Sequence, residues 1–74
     1  MTEYICFLIT IHYESAGTTL DCALKVKRDE LPGDCAEYPM ETENRQHLHG
    51  LLPLHVRESG PIIKVEDLFE VHCV

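Results

Sequence analysis

The sequence predicts an α+β, β-rich fold: a small antiparallel sheet of about four strands, arranged as two hairpins, with at most one short helix in the middle third. Two observations favour this architecture. Apolar residues alternate with other residues over 4–13 and again over 18–28, which is the period of a strand with one buried face. Turn signals containing glycine or proline separate the apolar runs. The 74 residues are few enough for a single domain, 1–74, with one small core.

The first hairpin has the clearest pattern. The strand over 4–13 has one wholly apolar face and one mixed face, and its residues are mainly β-branched or aromatic, as is typical of a central strand. The apolar face carries Ile5, Phe7, Ile9 and Ile11. Gly17 closes a turn of about four or five residues. The second strand then places on one face Leu20, Cys22, Leu24 and Val26.

The second half of the chain is less regular. Pro39 suits the first turn of a helix, so a short helix is predicted over about residues 39–49, with a loop as the alternative. The alternation over 52–57 predicts a third strand, near a sheet edge because Pro53 lacks a backbone donor. Residues 62–74 predict a last strand. Asp67 falls on its apolar face, which indicates a bulge or one helical turn around 66–68.

The charge is strongly negative, with 13 acidic against 6 basic residues and a formal net charge of −7. Direct binding to nucleic acid is disfavoured, because that binding depends on Lys and Arg at phosphates. The stretch 29–43 contains six acids and no base, and it predicts a surface that binds a basic partner. The alternative is a solvated acidic loop that keeps a small protein soluble. The six predicted partner-binding residues are Asp29, Glu30, Asp34, Glu37, Glu41 and Glu43.

The cysteines and histidines predict neither a metal site nor a catalytic site. A structural zinc site commonly uses closely spaced cysteine pairs, which this sequence lacks. His47 and His49 could share a metal only in an extended chain, and His72 and Cys73 would point to opposite faces of a strand. Cys35 lies between acids whose charge is expected to raise its pKa. No phosphate-binding loop or nucleophile motif occurs either. We therefore expect no catalytic residue, no metal, no cofactor and no enzymatic activity.

The sequence also bears on the compartment. No basic segment precedes the first apolar run, and that run is far shorter than the ~18–20 residues that span a bilayer. We therefore expect a cytoplasmic protein that does not bind membranes. Its four cysteines, which are then expected to be reduced thiols, are Cys6, Cys22, Cys35 and Cys73.

The overall profile, a very small acidic β-rich chain without an active-site motif, resembles that of phage-encoded inhibitors of nucleic-acid-handling machines such as anti-CRISPR proteins. This is a resemblance of size and charge. It implies a viral protein in the host cell cytoplasm that binds the basic surface of a protein or ribonucleoprotein complex. Two alternatives remain. One is an assembly module that forms a homodimer through a strand edge, because dimerisation supplements a small core. The other is a metal-binding regulator that uses cysteine and histidine.

Overall fold

The structure, a computed structural model, describes residues 3–67 and confirms the α+β, β-rich fold class. In chain order its elements are β1 (Tyr4–Tyr13), β2 (Thr18–Lys27), a 3-10 turn (Arg28–Glu30), α1 (Thr42–Leu51), α2 (Leu54–Arg57) and β3 (Ile62–Asp67). The three described strands form one antiparallel sheet in the order β2-β1-β3. None of the helices within residues 3–67 is long and apolar enough to cross a membrane.

The predicted first hairpin is confirmed. β1 and β2 pair without interruption from Tyr13 opposite Thr18 to Tyr4 opposite Lys27. Gly17, at a φ of 65°, lies in the left-handed region that a tight turn requires and that glycine adopts without strain. β1 is also the central strand that its pattern predicted. Its fully or almost fully buried residues are Ile5, Phe7, Ile9 and Ile11.

The core lies between one face of the sheet and the two helices. Phe7, on the central strand, is completely buried, and so is Leu48 of α1. A sheet with one apolar face must cover that face with another layer, and here the helices provide that layer. The buried apolar residues outside β1 are Val26, Cys35, Leu48, Leu52, Val56 and Ile62.

The predicted helix exists, but the predicted third strand is wrong. α1 begins at Thr42 rather than near Pro39, because Glu41 still has an extended backbone with a ψ of 146°. Residues 54–57, predicted as strand, form α2. The apolar period there is four rather than two, since Leu52 and Val56 are buried while Leu54 between them is 61% exposed. Pro53 fits the start of this helical turn, where a missing N–H costs nothing.

β3 begins where the last strand was predicted, but its irregularity lies elsewhere. Ile11 pairs with Ile62 and Thr10 pairs with Lys64, so Ile63 has no partner on β1. This bulge turns Ile63 outward, where it is 49% exposed, while Ile62 enters the core. The ladder continues to Asp67 opposite Phe7, so the predicted bulge is wrong for residues 66 and 67. Residue 68 and the rest of the predicted strand to residue 74 lie outside the described residues.

Candidate functional site

The six predicted partner-binding acids are all solvent-exposed and lie between the end of β2 and the first turn of α1. Asp29 and Glu30 belong to the 3-10 turn that ends β2. Asp34 and Glu37 lie in the turns that follow, Glu41 is the N-cap residue of α1, and Glu43 lies in its first turn. We call this set the acidic segment: Asp29, Glu30, Asp34, Glu37, Glu41 and Glu43.

Three of these six acids line one depression. Asp34, Glu41 and Glu43 line an open depression of about 480 Å³ at the N-terminus of α1, together with Met40, Thr42 and Asn44. We call this the acidic depression. The structure places Glu30 elsewhere, in a depression with Lys25 and Lys27 of β2. The acidic segment therefore presents a concentrated negative region at the helix start and a mixed region beside β2.

Asn44 holds the acidic depression in shape. Its side-chain amide donates one hydrogen bond to Oδ1 of Asp34, at 3.0 Å, and one to the backbone oxygen of Tyr38, at 2.9 Å. Asn44 is only 7% exposed, so these bonds form largely out of water. Sequence reasoning missed this residue. The available signal was its spacing of four from Leu48 and eight from Leu52, which places Asn44 on the buried stripe of the helix.

Asn44→Ala is expected to lower the free energy of unfolding by about 1–3 kcal/mol, because it removes both hydrogen bonds of a nearly buried amide and leaves the Tyr38 carbonyl with only the Glu41 N–H at 3.2 Å. Urea unfolding followed by circular dichroism measures this change. Gln46→Ala, at an exposed position of the same helix, is the matched control and should change stability by less than about 0.5 kcal/mol. Equal stability of the two variants would show that the Asn44 bonds do not organise the turn.

Cys35 lies beneath the acidic depression and is completely buried. Its backbone N–H donates to the Pro32 carbonyl at 2.9 Å, and its thiol lies 3.9 Å from the Asn44 carbonyl oxygen. Burial raises the pKa of the Cys35 thiol above its ordinary value of 9.0, and the Asp34 carboxylate raises it further. The predicted effect of Asp34 is thus present, but burial is the larger cause. A neutral, inaccessible thiol has a structural role here rather than a reactive one.

The free energy of unfolding is expected to fall as the pH rises above 9.0. The unfolded chain releases the Cys35 proton at the ordinary pKa, whereas the native state keeps it up to the raised pKa, so unfolding is favoured progressively between the two values. Cys35→Ala should decline less steeply with pH than the wild type. An unchanged slope in Cys35→Ala would contradict the raised pKa.

Ion pairs among the described residues do not neutralise the acidic segment. In residues 3–67, none of its six carboxylates forms an ion pair with a lysine or arginine, whereas Glu3 pairs with Arg28 at 3.1 Å. Glu41 and Glu43 also stabilise the helix, because negative charge near a helix N-terminus interacts favourably with the positive end of the helix dipole. In the described helix, however, the Glu41 carboxylate makes no side-chain capping hydrogen bond. The exposed Glu41 carboxylate is therefore not used to cap the helix.

The histidines and the remaining cysteines are dispersed. No group of three or more His, Cys, Asp or Glu side chains within residues 3–67 could hold a metal ion. Nε2 of His49 lies 2.9 Å from the Gly60 carbonyl oxygen and joins α1 to the start of β3. The pair His72 and Cys73 lies outside the described residues. Cys6 is disulfide-bonded, so the prediction that all four cysteines are reduced thiols is wrong.

The chain was compared with protein-family models, curated proteins and solved structures, and it matches none of them. Its function must therefore be argued from its own geometry and charge.

Proposed function

We propose that this chain is a small acidic protein-binding inhibitor that occludes a basic, nucleic-acid-binding surface of a host complex. The observation that carries the proposal is the acidic segment, whose six carboxylates are exposed and, within residues 3–67, not neutralised by internal ion pairs. Carboxylates that face water without a cationic partner can pair with one supplied by another molecule. Arg and Lys that normally hold phosphates suit this role, because they form charge-assisted bonds with either anion.

The acidic depression is the centre of the proposed interface. It presents Asp34, Glu41 and Glu43 around a concave surface, which is a shape that can accept a protruding arginine or lysine side chain. The two Asn44 hydrogen bonds fix the turn that carries Asp34 before any partner arrives. A preformed site loses less conformational entropy on binding than a flexible acidic loop does. This pre-organisation favours specific recognition over the alternative of a merely solvated segment.

The net charge supports the same mode of recognition. A formal charge of −7 on 74 residues steers the molecule towards positive surfaces and raises the association rate at low ionic strength. The same charge repels nucleic acid, so the proposed inhibitor competes with nucleic acid and does not bind it. The proposal includes no catalysis, no cofactor and no membrane binding.

The helix-dipole explanation of the acids is the main competing account. It applies to Glu41 and Glu43, which lie at the start of α1. It does not apply to Glu37, which is exposed in the preceding turn, or to Asp29 at the end of β2. Exposed acids outside the helix start are expected of an interaction surface and are not explained by the helix dipole.

The proposed target class places the protein in the cytoplasm, and in the host cell cytoplasm if the chain is phage-encoded. The disulfide at Cys6 bears directly on this placement, because the cytosol keeps most protein thiols reduced. Thiol labelling of freshly purified protein reports the state of Cys6. A reduced Cys6 agrees with a cytoplasmic site of action, and a persistent disulfide favours an oxidising compartment.

Affinity capture tests the proposal. The tagged protein is incubated with lysate of its host at low and at high salt, and the bound proteins are identified by mass spectrometry. We expect a nucleic-acid-binding complex that is retained at low salt and released at high salt, because screening weakens interactions between exposed charges. A partner that stays bound at every salt concentration would exclude charge as the basis of recognition.

A further inference from the structure

β2 forms an open edge of the sheet. Among the described residues it pairs with β1 alone, and this ladder runs over ten residues without a register shift. Natural proteins usually protect such an edge with a short strand, a proline or a bulge. β3, the other edge of the described sheet, is six residues long, contains a bulge and follows Pro61. β2 contains none of these three features, although it carries Lys25 and Lys27, and lysines on an edge strand also discourage unspecific pairing.

The alternation of hydrogen-bonded pairs along the β1–β2 ladder shows which β2 residues have backbone N–H and C=O groups that do not bond to β1. The Arg28 N–H donates to the Glu3 carbonyl at 2.9 Å, in continuation of the β1–β2 register. Bonded and non-bonded pairs alternate along an antiparallel ladder, so the even-numbered residues 18–26 bond to β1. The odd-numbered residues direct N–H and C=O groups to the open side. We call these the edge residues, and all five are solvent-exposed: Thr19, Asp21, Ala23, Lys25 and Lys27.

We propose that two copies of this chain pair antiparallel through the open edges of β2, about a twofold axis at Ala23. Ala23 then lies opposite the partner's Ala23, and the edge residues of the two copies exchange backbone hydrogen bonds. The two three-stranded sheets become one continuous six-stranded sheet. This inference does not depend on the proposed inhibitory function.

Charge complementarity supports this register. With the axis at Ala23, Asp21 lies opposite the partner's Lys25 and Lys25 lies opposite the partner's Asp21, whereas an axis at Leu24 would pair Asp21 with the partner's Lys27 and leave Lys25 opposite the partner's Ala23. Opposite charges at facing positions stabilise an antiparallel pair, and like charges destabilise it. An axis at Asp21 would instead set two aspartates against each other, and an axis at Lys25 would set two lysines against each other. The strand is therefore self-complementary about its middle.

The other face of β2 favours the same pairing. Leu20, Cys22 and Leu24 are half-buried, and Val26 is buried. About the Ala23 axis, Leu20 lies opposite the partner's Val26, and Cys22 lies opposite the partner's Leu24. These contacts extend the apolar core of each copy across the junction. A chain of this size has a marginal core of its own, and added burial raises its stability.

Neighbouring side chains already orient the two charged residues. Oγ1 of Thr10 donates to Oδ1 of Asp21 at 2.9 Å, which leaves the second oxygen of that carboxylate to accept from a lysine. Nζ of Lys25 lies 4.6 Å from the centre of the Tyr4 ring. Both contacts are to residues of β1, so they hold the two side chains on the outer face of the sheet but do not direct them to the open edge.

Reciprocal charge variants test both the interface and its register. Sedimentation velocity of the wild type over a range of concentrations should reveal a dimer of twice the 8.5 kDa monomer mass. Asp21→Lys and Lys25→Asp should each dimerise at least about tenfold more weakly, because two facing pairs become like-charged. An equimolar mixture of the two variants should restore dimerisation, since all facing pairs are then complementary. Circular dichroism of each variant confirms that the monomer is folded.

Three results would overturn the proposal. The first is a wild type that stays monomeric up to about 1 mM, a concentration at which even a free energy of −4.1 kcal/mol gives appreciable dimer. The second is a single variant that dimerises as tightly as the wild type. The third is a mixture that remains monomeric although both variants are folded, which would exclude this register. If the wild type is monomeric and an unrelated protein binds its β2 edge, that protein rather than a second copy of this chain is the partner of the edge, and the proposal is wrong.

Discussion

Gly60→Ala is expected to unfold most of the protein at room temperature. Gly60 has a φ of 154°, a region that other residues rarely adopt, and an added Cβ would overlap the backbone carbonyl oxygen of His12. β1 and the segment that precedes β3 cannot move apart there without losing the hydrogen bonds at the start of the β1–β3 pairing. His12 N–H donates to the Pro61 carbonyl at 2.9 Å, and Glu14 N–H donates to the Ser59 carbonyl at 3.1 Å. A loss of several kcal/mol equals the whole stability expected of a core this small, about 3–5 kcal/mol.

Gly50→Ala is the matched control for this prediction. Gly50 lies in α1 without a positive φ, and within the described residues its Cβ would enter open space. Alanine has a higher helix propensity than glycine, so this variant should be more stable than the wild type by about 0.5–1 kcal/mol. Urea unfolding of both variants provides the measurement. A folded Gly60→Ala with wild-type stability would contradict the close approach of β1 to the chain that precedes β3.

The triple variant Glu37→Lys, Glu41→Lys and Glu43→Lys is expected to bind the captured partner about 100-fold more weakly, at a cost of about 3 kcal/mol. These three carboxylates are exposed, and their reversal turns attraction to a basic surface into repulsion. Asp34 is left unchanged because it accepts the Asn44 hydrogen bond that shapes the turn. Binding is measured by isothermal titration or surface plasmon resonance at fixed salt, after circular dichroism has verified the fold.

A second triple variant controls for net charge. Glu14, Glu58 and Glu66 are also exposed, but they lie outside the acidic segment. Reversal of either set adds two charges per residue and changes the formal net charge from −7 to −1. The control variant should retain affinity to within about tenfold, because distant charges act mainly through long-range steering. If both triple variants lose affinity equally, total charge rather than the acidic segment determines binding.

The parts of the fold that the sequence predicted are those with one dominant period. β1 and β2 were predicted because each buries one face along its whole length, so every second residue reports the same environment. α2 was missed because it is a single turn, and Leu52, Leu54 and Val56 fit a strand pattern as well as a helical one. Burial decides between the two patterns, and burial depends on tertiary packing that a short segment does not encode. The bulge at Ile63 was misplaced for a similar reason, since either of two adjacent isoleucines could have entered the core.

The candidate site was predicted by charge but not by geometry. Composition identified the acidic segment, since each of its members is an acid in a base-free stretch. It could not indicate that Asp34 lies beside Glu41 and Glu43 while Glu30 faces the lysines of β2. That grouping depends on the path of the turns between β2 and α1. The buried amide of Asn44 directs this path, through contacts six and ten residues back along the chain.

Competition with nucleic acid shows whether the protein occludes the nucleic-acid-binding surface of its partner. The complex recovered by affinity capture is bound to its labelled nucleic acid, and fluorescence anisotropy is followed as this protein is added. Occlusion of a basic surface predicts that the wild type displaces the nucleic acid, and that the variant Glu37→Lys, Glu41→Lys and Glu43→Lys does so only at about 100-fold higher concentration. Simultaneous binding of the protein and the nucleic acid to the complex would contradict the account.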